Sequence, residues 1–307
     1  MKSAQSSPIV VVGSVNFDVT YNMLELPLAG ETVLASGRRD APGGKGANQA
    51  VSIASYGLPV SLVFCVGDDN QGGKLVDLLK LRGVDTSHVS QATNQATGSA
   101  IILVDEHGEN SIVVDPGANY YLTPDAASSA ISKIQPEFVL AQLEVPVEAV
   151  IAAARANAGT FILNPAPIPR DLSTDQIKSL LEHSDILVPN RSELASLTGM
   201  PVPQSSHQIH ECVAKLEFSG TLIVTLGADG ALLFPDAQQV QSIQIPAPQV
   251  TATDASGAGD AFCASLVACL QTGKSLIEAV THACKFASWS TTQIGAQVSP
   301  EHGFTLS

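Results

Sequence analysis

The sequence predicts an α/β fold: one mainly parallel sheet covered by helices on both faces, with a smaller β layer inserted into it. Three observations predict this. Strand-like and helix-like segments alternate along most of the chain, several strand segments are unbroken apolar runs, and two stretches switch to a period of two. Ile9–Val12 is the first strand, four β-branched apolar residues in a row. Residues 61–66, 138–142, 160–164, 186–189 and 221–225 repeat that character, as strands buried on both faces do. Between them lie helical patterns at 47–56 (closed by Gly57), 72–81, 147–157, 176–182, 192–198 and 207–218. Such alternation places helices on both sides of a parallel sheet. After Pro248 the pattern turns helical, with segments 260–270 and 276–292. Residues 17–41 and 97–119 alternate polar and apolar positions (Ile101 and Leu103, Ser111 and Val113), which reads as half-buried antiparallel strands.

Composition narrows the function classes. At 307 residues the chain predicts a single domain over 1–307 carrying a small discontinuous β unit, and 45% hydrophobic residues suffice for a large core. The net charge is −14 and no basic run exceeds two residues, which argues against a nucleic-acid or anionic-membrane partner. No segment approaches the ~20 apolar residues of a membrane span, and the opening MKSAQSSP lacks the apolar core of a secretion signal. The five cysteines (Cys65, Cys212, Cys263, Cys269, Cys284) are odd in number and lack CxxC spacing. They predict reduced, mostly buried thiols in a cytoplasmic protein, without a zinc site.

Two glycine motifs carry the chemistry. In Asp254-Ala255-Ser256-Gly257-Ala258-Gly259-Asp260, small residues lead into an apolar helical run. A glycine turn opening a helix aims unpaired N–H groups forward, and the helix dipole adds positive potential there, forming a cradle for an anion. A carboxylate among those donors suits a base that takes a proton from a hydroxyl attacking a phosphate. A plain helix start with an acid near its N-cap explains the same residues. The second motif, Pro42-Gly43-Gly44-Lys45-Gly46-Ala47-Asn48-Gln49-Ala50, also opens a helix. Upstream, Asn16 and Asp18 of Gly13-Ser14-Val15-Asn16-Phe17-Asp18 share one face of an extended segment. An amide beside a carboxylate suits vicinal hydroxyls; a polar strand end is the other reading.

GSVNFD, GGKGANQA, Thr97-Gly98-Ser99-Ala100, Asn164-Pro165-Ala166-Pro167, Pro189-Asn190-Arg191-Ser192-Glu193, Thr225-Leu226-Gly227 and DASGAGD occur here in one order. That order resembles the ribokinase branch of the PfkB sugar kinases over nearly the whole chain, and GGKGANQA is similar to that branch rather than to fructokinases or adenosine kinases. The resemblance implies a ribokinase-like three-layer α/β/α fold, with 17–41 and 97–119 forming a β lid over the sugar and a homodimer contact. It implies ATP-dependent phosphorylation of a pentose, D-ribose to D-ribose 5-phosphate, with Asp260 as general base. Gly257, Ala258 and Gly259 would form the anion hole, and Asn16, Asp18, Gly44, Lys45, Asn48, Glu144 and Asp260 the sugar site. ATP would meet Asn190, Thr225, Gly227 and Gly257–Gly259. Glu193 would organise Mg²⁺ through water, as suits an ion that keeps several waters. Asn190 with Glu193 also fits a helix cap, and both roles can hold together. An activating K⁺ would take side-chain oxygens from Asp254 and Ser299 and backbone carbonyls from Ser256, Ser290, Gln293 and Gly295. A polar strand end remains the alternative for Glu144.

Other signals lead nowhere. Thr272-Gly273-Lys274-Ser275 imitates the end of a Walker A loop, but its first glycine position is Ala268 and a helix precedes it. GSVNFD lacks G-x-G-x-x-G. His207 and His210 have paired spacing but sit on a polar stretch and read as solvated. The chain departs from the family pattern at Ala255, Pro42, Lys285 and Trp289, which puts adenine contacts in question. Alternatives within the class are 2-deoxyribose or another sugar or nucleoside, with Ala100 and Ile102 as selecting positions. A sensor that binds without turnover is opposed by the intact Asp260, Lys45 and N-x-x-E set.

Overall fold

The structure is a computed structural model that describes residues 8–298, Phe304 and Leu306. In chain order the strands are β1 (Ile9–Val12), β2 (Asn16–Asn22), β3 (Gly37–Gly43), β4 (Val60–Gly67), β5 (Asp85–Ala92), β6 (Ser99–Val104), β7 (Asn110–Asp115), β8 (Phe138–Ala141), β9 (Thr160–Leu163), β10 (Ile186–Leu187), β11 (Thr221–Thr225), β12 (Ala231–Phe234) and β13 (Ile243–Ile245). The helices are α1 (Lys45–Ser55), α2 (Asn70–Leu81), α3 (Pro124–Ile134), α4 (Val147–Ala156), α5 (Thr174–Glu182), α6 (Arg191–Thr198), α7 (Ser206–Lys215), α8 (Ala258–Gln271) and α9 (Leu276–Ser290).

The large sheet runs β13-β12-β11-β10-β9-β8-β1-β4-β5. It is parallel from β5 to β11, and β12 and β13 close one end antiparallel. The unbroken apolar strands are unbroken because both faces are covered. Val10 and Val12 face one layer with residues of α3 to α7, whereas Ile9 and Val11 face a second layer formed by α1, α2, α8 and α9. This is the expected three-layer α/β/α arrangement. No helix among the described residues is long and apolar enough to cross a membrane, and the five cysteines are free and buried, as expected.

The second sheet, β3-β2-β6-β7, comes from the two period-two stretches. Each stretch forms an antiparallel hairpin, as predicted, but the hairpins join through a parallel β2–β6 seam in which Asp18 pairs with Ala100. The expectation of half-buried strands holds for β2 and β6, while β7 is exposed along its length. The strand expected at 186–189 is only Ile186–Leu187, because the chain turns there toward a helix capped by Asn190. His207 is exposed beside Glu211, but His210 is not solvated as predicted: it packs edge-on against Phe234 with ring centroids 5.1 Å apart and meets the Ser242 hydroxyl at 3.1 Å.

Strand β1 and helix α1 approach through glycine. A Cβ on Gly46 would lie 2.6 Å from the backbone carbon of Gly13, closer than van der Waals contact permits. Gly46→Ala should therefore push α1 off β1 and lower unfolding free energy by ~1–3 kcal/mol, the usual cost of overpacking. A urea melt showing an unchanged midpoint would contradict this contact.

Candidate active site

The carboxyl ends of the parallel strands carry the polar residues, where open α/β sheets place ligands. Asn16 and Asp18 follow β1, Gln142 and Glu144 follow β8, Asn164 follows β9, Asn190 follows β10 and Thr225 ends β11. Two helices point their N-termini at the same region. Helix α1 begins after Gly44 and α8 after Gly257, and neither is capped by a side chain, whereas α2, α3, α5, α6, α7 and α9 are. Gly257 has φ +73°, a left-handed conformation in which a side chain would also strike Ala296. The turn before Asp260 therefore requires glycine.

Asp260 lies in the first turn of α8 and is buried at 4% exposure. Its Oδ2 accepts from Asn48 Nδ2 at 3.0 Å and its Oδ1 from Gln49 Nε2 at 2.9 Å. Lys45, at the start of α1, stands among three acids: Asp260 foremost raises its pKa against the opposing effect of burial, with Glu144 and Glu193 adding to the rise. Glu144 accepts the backbone N–H of Lys45 at 3.0 Å and the Ser14 hydroxyl. It is thus anchored between elements, rather than being the solvated strand end that the sequence left open.

Asn16 is buried, and Asn119 fixes its orientation. Asn119 Oδ1 accepts Val15 N–H at 2.9 Å, and Asn119 Nδ2 donates to Asn16 Oδ1 at 2.7 Å. The Asn16 NH₂ group is left as the end available to a ligand acceptor. Asp18, on the same face of β2, has its pKa pushed up to about 7 by burial first and by Glu144 second, and its buried Oδ1 has no hydrogen-bond partner. The Asn48 Oδ1 is likewise buried without a partner. These orphaned acceptors, beside the Asn16 donor, match the donor-acceptor pattern of a polyhydroxyl compound.

A cavity of about 260 Å³ is lined by Lys45, Asn164, Asn190, Glu193, Thr225, Gly257, Ala258, Gly259 and Asp260 among others. Asn190 and Glu193 form the predicted capping box, with Asn190 N and Nδ2 donating to the two Glu193 oxygens at 2.8 Å each. Burial raises the Glu193 pKa more than these bonds and Lys45 lower it. The cavity continues, through shared residues Thr225, Ala255, Ala258 and Gly259, into an apolar pocket of about 310 Å³ that includes Gly227, Ala247, Val250, Phe262 and Ala287. Helix α9 presents Cys284, Ala287 and Ser288 there, followed by Thr291 at its end, not Lys285 or Trp289. Trp289 stacks on Phe286 instead, so these two departures from the family pattern do not touch the pocket.

Loop 253–256 meets the end of α9. Asp254 N–H donates to Thr291 O at 2.9 Å, and the Asp254 oxygens accept Ser256 N–H and Gly295 N–H, each at 2.9 Å. Burial pushes the Asp254 carboxyl up, but hydrogen bonds from Ser256 and Gly295 outweigh it and hold it below the ordinary range. Ser290 O accepts Gln293 N–H at 3.0 Å. Ser299 lies outside the described residues.

Residues 6–302 match the pfkB family carbohydrate kinases. The chain belongs to that family. It is a carbohydrate kinase, a phosphotransferase with an alcohol acceptor. A ribokinase of Bacillus subtilis is 36% identical over 293 residues, covering 94% of each chain. A deoxyribokinase of Salmonella typhi is 36% identical over 299 residues, 95% of this chain and 94% of its own. The structure of the Arabidopsis thaliana ribokinase complexed with ribose and ATP superposes with a TM-score of 0.81 at 34% identity, covering 95% and 94% of the two chains.

Gln49, Asn119, Gln142 and Asn164 enter the site without a role having been predicted for any of them. The detectable signal for Gln49 was a polar residue inside the otherwise small and apolar run Gly46 to Ile53 of α1. For Gln142 it was an amide ending the apolar strand Phe138–Ala141.

The Asp18 shift sets a pH dependence. An Asp whose pKa rises from 3.8 unfolded to about 7 folded binds its proton more tightly in the native state. Its contribution to stability is full below pH 3.8 and is lost as pH rises through about 7. Asp18→Asn should therefore raise the melting temperature of the ligand-free protein at pH 8 and leave it nearly unchanged at pH 4. Calorimetry showing equal differences at both pH values would contradict the burial of that charge.

Proposed function

We propose that the chain transfers the terminal phosphoryl group of ATP to a pentose hydroxyl, D-ribose giving D-ribose 5-phosphate, with Asp260 as general base. One observation carries this reading: the Asp260 carboxylate lines the cavity under the α8 N-terminus and accepts from Asn48, whose own Oδ1 is an orphaned acceptor. The sugar would be held by Asn16, Asp18, Gly44, Lys45, Asn48 and Glu144. The reacting hydroxyl passes its proton to an Asp260 oxygen, its oxygen bonds to the terminal phosphorus, and the bond from that phosphorus to ADP breaks. Backbone N–H groups at 257–259 and the Lys45 ammonium meet charge on the transferring oxygens, and donors aimed in this way are worth ~10²–10³ in rate each. Asn190, Thr225 and Gly227 would contact the nucleotide, and the apolar pocket beyond them suits a flat base.

Mg²⁺ bound with ATP would neutralise phosphate charge. Glu193 fits it through water: its carboxylate faces the cavity, and its hydrogen bonds from Asn190 leave further lone pairs. K⁺ beside the anion hole is supported by the meeting of loop 253–256 with 290–295. An ion held there by the carbonyls of Ser256, Ser290, Gln293 and Gly295 and the side-chain oxygens of Asp254 and Ser299 would stiffen the Gly257–Asp260 turn. The second sheet, within 17–41 and 97–119 of one domain, would act as a lid. Exposed Ile112, Val113 and Val114 on β7 support a homodimer through it, and the reduced thiols support a cytoplasmic setting.

The second reading is 2-deoxyribose, favoured by the equal identity to a deoxyribokinase. Ala100 and Ile102 lie two apart on β6 and turn away from solvent more than Ile101 does, so they would select between these sugars. A coupled ATPase assay across pentoses and hexoses should give ribose the highest kcat/KM, with turnover rising when K⁺ replaces a Tris-type cation. Asp260→Asn should lose at least ~10² in kcat while sugar binding is largely kept. Near-normal turnover by that variant rejects the base assignment, and a hexose preference rejects the pentose.

A further inference from the structure

We propose that Gln49 and Gln142 are positioning residues for phosphoryl transfer, forming with Asn164 a directional amide relay that aims the Asp260 carboxylate; this rests on the reading of Asp260 as base.

The relay starts at a group with no choice of role. The Val188 carbonyl can only accept, and Asn164 Nδ2 donates to it at 3.0 Å. Asn164 Oδ1 therefore faces the other way and meets Gln49 Nε2 at 3.4 Å. The Gln49 NH₂ thus lies between two acceptors, Asn164 Oδ1 and Asp260 Oδ1, the latter at 2.9 Å. Its Oε1 must then point away, and it accepts from Gln142 Nε2. Turning any one amide over would set oxygen against oxygen. The carbonyl at one end and the carboxylate at the other fix all three orientations.

Burial gives this weight. Gln49 and Gln142 are 0% exposed and Asn164 is 7% exposed. Amides removed from water are costly unless bonded, and a well-packed apolar seam between α1 and the sheet would avoid that cost. The polar chain instead ends on Asp260, with Asn48 holding the second oxygen from the preceding residue of α1. A carboxylate offers about four acceptor positions, so two amide bonds fix its plane and leave lone pairs for a hydroxyl proton. The other titratable groups facing Asp260 are Lys45 from α1, Glu193 from α6 and Cys263 from α8. All of them persist when the relay is cut, so a change in the pH profile reports the amide.

The test compares Gln49→Met, Gln142→Met and Asp260→Asn by single-turnover phosphoryl transfer, steady-state kinetics across pH and thermal melting. Gln49→Met should slow the transfer step ~10–100-fold, the usual weight of a hydrogen bond to a charged group. KM for sugar and ATP should stay within ~2-fold, and the acid limb of the rate profile should move to higher pH because a bond favouring the charged form is lost. Gln142→Met keeps the Gln49–Asp260 contact but frees that amide to turn, and should show a smaller loss in the same direction. A folded Gln49→Met protein with normal transfer rate and pH profile overturns the relay, as does a change confined to melting temperature. If Gln49→Met does not fold, Gln142→Met decides alone, and its normal transfer rate overturns the relay. Failure of the underlying reading looks different: Asp260→Asn would keep its turnover, whereas an inactive Asp260→Asn beside a normal Gln49→Met removes only the relay.

Discussion

The packing of α1 against α8 through a carboxylate is the contact on which the site depends. Asn48 and Gln49 reach Asp260 across 212 and 211 residues of sequence. Bringing those helices together sets two uncapped N-termini side by side at the carboxyl ends of the strands. Glu144, Asn164, Asn190 and Thr225 are then supplied by chain leaving or ending the sheet at that edge. The helices meet in the layer that also holds α2 and α9, an almost wholly apolar environment in which a buried acid must be bonded. The amides on α1 meet that demand, and so the acid lies where two otherwise separate halves of the cleft join.

An acidic protein must still hold anions. The net charge of −14 offers no general attraction to a phosphate. The structure aims individual donors instead: the Lys45 ammonium, kept protonated by the carboxylates around it, and the first N–H groups of two helices at one cavity. This arrangement acts at short range, where a low local dielectric makes fixed dipoles effective.

The layers of the fold were legible because burial on both faces leaves an unbroken apolar run, as in Ile9–Val12. Strand β5 escaped notice because it lies at the sheet edge, where Asp85 to Ala92 alternates with solvent and carries few apolar residues. The β2–β6 seam was invisible because parallel pairing between distant hairpins leaves no local pattern. Asp260 stood out because glycines lead into it, and glycine is read as backbone geometry, whereas Lys45 and Asn48 entered through the family resemblance. Gln49, Gln142, Asn119 and Asn164 did not, since a lone amide means little until its neighbours in space are known. The same limit applied to Trp289 and Lys285, whose helix does border the pocket, but whose positions on that helix turn them elsewhere.

The chain's one tryptophan has a practical bearing. Trp289 lies in an aromatic stack with Phe286 at 5.6 Å and Phe304 at 5.2 Å, away from both cavities. Phe304 also meets Phe286 and His282 edge-on. Intrinsic emission from this protein therefore reports how Phe304 seats on α9. A spectroscopic signal for the cleft has to come from a fluorophore introduced beside it.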